Sequence, residues 1–520
     1  MKARRSARRL LGLVAAAALT VLAACGGGTT GADAGPDPNG TIRVGTFLDL
    51  IGGTNFDPTR SATVSDQEYL QLVYGTLLRR YADGRYEPWM AESVEITDPR
   101  TLTVRLRAGL TFSDGSPFDA NAVRAGLLRN RDQATERTKA GQNQLFRQLQ
   151  DVAVTGPLAL TLTIGAPVAN DFRQVLAGRE SMIVSPAADP GTLNTAPVGA
   201  GPFTLESFVP QQEILLARNR AYFDPDHYRL GKVQLVHTPN GPGRSNVLLS
   251  GDVDLVQPLS VADVTRFESA PYRTLKSIKD FGYTYFVMCT TKPPFDDLRI
   301  RQALQLGIDR NGVNQLLYAG QGQPAYGLWP ADSPNYNPAV EQVVRFDPDR
   351  ARQLVAESGL GGTPIELYWP TNVNLERLAE IVRVQLADIG LTIDVKPTRD
   401  IVAEFSAPQK PGAELLPGSR TGMDKYLRSL APGAVQNLCG ADQRGLVADV
   451  LAVGGAPDDA AAAAGYRDLE LKIAQQAVLV PIAYEPEYVV WNEERLGGEV
   501  RVSGVNYGYD LQDAFVKATA

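Results

Sequence analysis

The stretch YTYFVMCTTKPPFDDLRIRQALQLGIDRNGVNQLLYAGQGQPA, Tyr283 to Ala325, decides how the rest of the chain is read. Tyr283, Tyr285 and Val287 alternate within an apolar run, the two-residue period of a strand. Lys292, Pro293 and Pro294 end that strand, because proline brings no N–H to a ladder. Asp296 or Asp297 then predicts a helix start, since a short carboxylate accepts from the first free amides, and Ile300, Ala303, Leu304 and Ile308 form the inner stripe. Asp309 predicts the cap of a second helix that closes at Gly320.

Working outward, Asp347 predicts the cap of the helix DPDRARQLVAES, ended by Gly359. PIELYW (364–369) reads as a strand. A helix with Leu375, Leu378, Ile381, Val382, Leu386 and Ile389 on one face follows, and Leu391 to Val395 is a strand again. This is a β-α-β crossover, which implies a parallel pair and an α/β unit. Ala456 to Gln476 reads as a helix, and LVPIAYEPEYVVW (479–491) as a closing strand segment. On the other side, TIRVGTFL (41–48) alternates as a strand, and Tyr69, Leu72, Val73 and Leu77 line a helix predicted from about Ser65 to Leu78. Two hairpins follow with matching spelling, VEITDPRTLTVRLR (94–107) and VAVTGPLALTLTI (152–164), separated by FSDGSPFDANAV (112–123) and a helix that Asp119 caps.

At 520 residues the chain is long enough for two or three globular units, and 44% hydrophobic with 21% charged residues describes a folded protein. Lys2, Arg4, Arg5, Arg8 and Arg9 precede the apolar run Leu10 to Ala24, the layout of a signal peptide. Leu22-Ala23-Ala24-Cys25 looks like a bacterial lipoprotein cleavage box that would make Cys25 the first, lipid-bearing residue; a plain secretory signal is the alternative. Removing those five positive charges takes the formal charge from −7 to −12, which argues against nucleic acid as a partner. Gly26 to Gly40 reads as a flexible tether. Cys289 and Cys439 remain, either paired or as two buried thiols. With His227 and His237 the sole histidines, an imidazole metal site is not expected, and no cofactor is implied. No G-x-S-x-G, H-E-x-x-H or phosphate-loop pattern occurs, so the reading is a protein that is not an enzyme.

The pattern K-P-P-F-D-D-x-R-x-R-Q-A-L-x-x-G-I-D-R, Lys292 to Arg310, resembles the extracytoplasmic solute-binding proteins of peptide-type ABC importers, the oligopeptide- and dipeptide-binding group. FSDGSPFDANAV, PVGAGPFTLESF (197–208) and RNRAYFD (218–224) resemble further elements of that family, in its order. The resemblance implies a two-lobed, type II clamshell of the periplasmic-binding-protein kind, with an extra small sheet subdomain in the first lobe. In this numbering it implies a lipoprotein signal peptide at 1–24 and a tether at 25–40. Lobe I would comprise 41–57, 175–275 and 486–520, its subdomain 58–174, and lobe II 276–485. Val64, Tyr283, Tyr285 and Tyr484, with the region from Pro417 to Lys425, fall at the family's ligand-facing places. The chain departs from the family there. Where peptide binders carry an acidic residue for the ligand's ammonium, this chain reads PGSRTGMDK, so Arg420, Thr421 and Asp424 become the candidates, Arg420 favouring an acidic or hydroxyl-rich ligand.

The function implied is a monomeric, lipid-anchored receptor on the outer face of the cytoplasmic membrane. It would capture a short peptide or small solute and pass it to an ABC permease with its ATPase. An envelope lipoprotein that keeps the fold as a scaffold or regulator is the alternative that the altered cleft loop leaves open.

Overall fold

The computed structural model describes residues 35–48, 55–61, 66–134, 143–238, 242–278, 282–371, 375–398, 412–418, 421–434, 436–437, 442–504 and 509–518. Three main sheets organise them. The first has seven strands in the order Tyr272–Ser277, Glu487–Asn492, Leu255–Leu259, Thr41–Thr46, Lys232–His237, Glu213–Arg218 and Phe203–Val209. The second has six: Gln323–Pro324, Leu479–Tyr484, Tyr283–Met288, Gly412–Pro417, Pro364–Pro370 and Thr392–Thr398. The two predicted hairpins pair through Thr101–Leu106 and Ala159–Ile164 into a separate four-stranded sheet.

Tyr283–Met288 is the centre of the second sheet, antiparallel to both neighbours. Its pleat sends alternate side chains to different cores. Phe286 and Met288 pack with Ile300, Leu304, Ile308, Val382 and Leu386 from the helices behind the sheet. Tyr283, Tyr285 and Val287 face the other way, into a core that also holds Ile42, Val44, Phe172, Val175 and Met423. The neighbouring Leu479–Tyr484 strand keeps the same division through a register shift opposite Thr284 and Tyr285. Leu479 and Tyr484, five residues apart, would lie on opposite faces of a regular strand; the extra residue puts both on the tyrosine face.

The helix caps fall where the sequence places them. Asp297 accepts from Arg299 N and opens Leu298–Gly307; Asp309 accepts from Gly312 N and opens Arg310–Tyr318; Asp347 accepts from Arg350 N and opens Pro348–Ser358. Behind the second, the Arg310 guanidinium is buried and donates to the carbonyls of Ala325, Pro481, Gln305 and Val344, which ties the helix start to the sheet. Pro364–Pro370, the helix Glu376–Asp388 and Thr392–Thr398 form the parallel crossover. One boundary differs from expectation. The helix read as Ser65 to Leu78 spans Asp66–Tyr74, because Gly75 turns at φ +65° and Leu78–Arg80 continues as a strand.

The chain passes between the first and second sheets twice. Tyr272–Ser277 lies in the first and Tyr283–Met288 in the second; Leu479–Tyr484 lies in the second and Glu487–Asn492 in the first. The two passages touch, Glu485 N donating to Gly282 O at 2.8 Å. The 479–491 stretch, read as one segment, is thus two strands in different sheets.

Since the two faces of Tyr283–Met288 serve different cores, Phe286→Ala is expected to cost about 3–5 kcal/mol of stability, whereas Tyr285→Phe, which removes one hydroxyl, costs about 1 kcal/mol. Urea unfolding of both variants checks the contrast.

Candidate functional site

On the tyrosine face, Tyr283 lies 5.1 Å from Tyr285 and 5.9 Å from Tyr484 between ring centroids. All three are buried, and the hydroxyls of Tyr285 and Tyr484 reach polar groups. Tyr285 donates to Gln436 Oε1 at 2.6 Å and meets Ser429 Oγ at 3.2 Å; Tyr484 donates to Gly327 O at 3.2 Å. Burial pushes the Tyr285 phenol up to about 12, against the Ser429 bond, so it stays neutral. Gly418 passes directly over Tyr283, where a Cβ would come within 2.5 Å of the ring.

A polar seam runs beside these rings, between the segment after Gly418 and the helix Ala169–Leu176 that follows the small sheet. Tyr466 donates to Asp171 Oδ2 at 2.8 Å and Met423 N to Asp171 Oδ1 at 3.3 Å. Thr421 Oγ1 donates to Gln174 Oε1 at 3.5 Å, Gln144 N to Asp424 Oδ1 at 2.7 Å, and Arg173 pairs with Asp459. Burial raises the Asp171 pKa, with the Tyr466 and Met423 bonds opposing it.

The third part lies between the tyrosines and the helix Asp459–Gln476. Lys425 is 1% exposed; its Nζ sits 3.6 Å from the Trp329 ring centroid and 5.5 Å from that of Tyr283, and donates to Leu328 O at 2.6 Å. Trp329 Nε1 donates to Tyr426 Oη at 2.7 Å, Tyr426 donates to Glu470 Oε1 at 2.6 Å, and Leu328 N donates to Glu470 Oε2 at 2.7 Å. Burial raises the Glu470 pKa; the bonds from Tyr426 and Leu328 N and the charge of Lys425 oppose the rise.

The structure therefore brings together Tyr283, Tyr285 and Tyr484 and places Thr421 and Asp424 on the adjoining seam. Val64, Arg420, Cys25 and Cys439 lie outside the described residues. Cys289, 2% exposed, is disulfide-bonded. Sequence reasoning named Lys425 only as the end of the region from Pro417 and missed Trp329, Tyr426, Tyr466, Glu470 and Asp171. The signal available was the run of Lys425 and Tyr426 directly after Asp424, with its partners more than forty residues away. Two cavities, of about 260 Å³ beside Asp309, Arg310 and Tyr326 and about 170 Å³ beside Arg79, Trp89 and Phe223, are lined by other residues. No group of side chains able to hold a metal occurs among the described residues, and no helix among them is long and apolar enough to cross a membrane.

Residues 85–412 match the middle region of the bacterial extracellular solute-binding proteins, family 5. The chain belongs to that family. With it goes the coarse function, the solute-binding component of a peptide-type ABC importer. The glutathione-binding protein GsiB of Escherichia coli K12 is 25% identical over 355 residues, covering 66% of this chain and 68% of that protein. In fold, the chain is similar to the Helicobacter pylori binding protein DppA in complex with the peptide STSA, with a TM-score of 0.76 and 20% identity over 92% of this chain and 98% of that one. It is similar also to AgaA of A. tumefaciens R10 in complex with agropinic acid, with a TM-score of 0.78 and 21% identity over 92% of this chain and 99% of that one. The fold of the chain is that of the type II periplasmic binding proteins.

Because the folded Glu470 pKa lies above its ordinary 4.5, the folded chain holds that proton more tightly than the unfolded one. The resulting stability is fully present below pH 4.5 and is lost as pH rises through the folded value. Glu470→Gln is expected to flatten that fall, and the difference in urea-unfolding free energy between variant and parent, followed from pH 4.5 upward, measures it.

Proposed function

We propose that this family 5 protein captures a short peptide or peptide-like solute against the Tyr283, Tyr285 and Tyr484 face and presents it to an ABC permease. Lobe I in this reading is 41–57, 175–275 and 486–520, with 58–174 as its subdomain, and lobe II is 276–485. The tyrosine face carries the proposal. Three clustered rings offer broad contact area at low rotamer cost, and a phenol adds a polar tip to that area. Their strands lead directly into both passages between the sheets, so a solute held there bears on the segments through which the units move. Only a solute that binds the closed form more tightly than the open one can shift that balance.

The finer features follow the same reading. Cys25 carries the lipid and holds the protein at the outer face of the cytoplasmic membrane, the disulfide of Cys289 runs to Cys439, and the receptor acts as a monomer. The glutathione, peptide and agropinic acid bound by the relatives favour solutes rich in amide and carboxylate groups.

A thermal-shift screen with di- to pentapeptides, acidic peptides, sugars and metal chelates tests the central point. A micromolar solute at millimolar concentration stabilises by roughly 4 kcal/mol, and Tyr285→Ala is expected to weaken its binding by about tenfold or more. If no solute of any class raises the melting temperature, the reading fails. Cys25→Ala is expected to move the protein from the membrane fraction to the soluble one, measured by fractionation of the cells that make it.

A further inference from the structure

The surroundings of Lys425 form a site in their own right. An ammonium is held best by an aromatic face, a carbonyl oxygen and a nearby carboxylate together. Lys425 Nζ has the first two, the Trp329 ring at 3.6 Å with the Tyr283 ring at 5.5 Å and the Leu328 carbonyl at 2.6 Å, while Glu470 accepts from Leu328 N and Tyr426 and so anchors the residue whose carbonyl takes the ammonium. Trp329 is in turn held by its bond to Tyr426, so the walls are braced independently of the lysine. One wall, Tyr283, is also a member of the proposed solute face. The other buried acids nearby are turned to the seam: Asp171 accepts from Tyr466 and Met423 N, and Asp424 from Gln144 N.

We propose that the Trp329, Tyr283 and Leu328 cage is an alkylammonium site that the chain fills with its own Lys425, so that the solute captured beside it is one whose facing end carries no free amine. This rests on the reading that the tyrosine face binds the solute. An incoming ammonium would meet a like charge in a water-poor setting, where repulsion is strong and rejects that class of partner. A solute with an acyl-capped nitrogen, a neutral amide or a carboxylate at that end meets no such repulsion.

Two measurements on the full chain test this. Lys425→Ala removes a propylammonium's worth of atoms, so n-propylammonium is expected to raise the melting temperature of the variant by several degrees more than that of the parent protein, while 1-propanol does not. Equal effects of the amine and the alcohol, or none from either, overturn the ammonium site. In the second, di- to pentapeptides are offered in free-amine and N-acetylated forms. The parent protein is expected to bind the acetylated forms at least about tenfold more tightly, and Lys425→Ala, or Lys425→Met should the alanine variant not fold, narrows or reverses that ratio. Equal or tighter binding of free-amine peptides by the parent overturns the proposed selection while leaving the solute face standing. Rescue by propylammonium with no peptide bound in either form upholds the cage and overturns the solute face instead.

Discussion

The structure depends on the pleat of one strand. Tyr283–Met288 has every residue buried, yet its two faces belong to different cores: Phe286 and Met288 hold the helices of the second sheet's own unit, and Tyr283, Tyr285 and Val287 look toward the first. A central strand buried on both sides is fixed in register, because a slip of one residue would exchange the aromatic face for the aliphatic one. The neighbouring strand meets the same demand with an added residue, which keeps Tyr484 beside Tyr283. Everything proposed for solute capture uses the face that this register turns toward the first core.

The second consequence concerns charge. Burying ionisable groups is costly unless each is bonded, and here Asp171, Asp424 and Glu470 each accept from donors, while Lys425 is held by two rings and a carbonyl. These groups lie where the unit of the second sheet meets the helix Ala169–Leu176. Polar contacts at such a boundary can be broken and rehydrated at lower cost than a packed aliphatic core, which suits the opening that the proposed function requires. Fold membership fixes none of this, since folds are shared more widely than sites.

Much of the fold was legible in the sequence because its instructions are local. Asp297, Asp309 and Asp347 cap the helices they precede, Gly359 ends one in the left-handed region, and the 364–398 segment forms the parallel crossover its periodicity implies. The change of sheet at Glu485 and Pro486 leaves no mark in the periodicity, since 479–491 is apolar apart from Glu485, Glu487 and the prolines and its halves differ mainly in the sheet they join. Leu77 and Leu78 fit the helical stripe of the segment before them, but Gly75 stops the helix first. The tyrosines were singled out by their place in the segments that resemble the family, and the strand period of Tyr283 and Tyr285 was readable beside it. The Lys425 cage was not, because Lys425, Tyr283, the Leu328–Trp329 pair and Glu470 lie on four separate segments that meet only in three dimensions.

The central claim is that two units joined by two chain passages close around a solute on the tyrosine face. Leu249, on a helix packed against the first sheet, and Val384, on a helix of the second, are both exposed and can carry nitroxide labels as cysteine variants. Pulsed electron paramagnetic resonance then reads the distance between the units directly. The account predicts two distance populations whose ratio shifts when a solute that raises the melting temperature is added. A single distribution, unmoved at saturating solute, would contradict it.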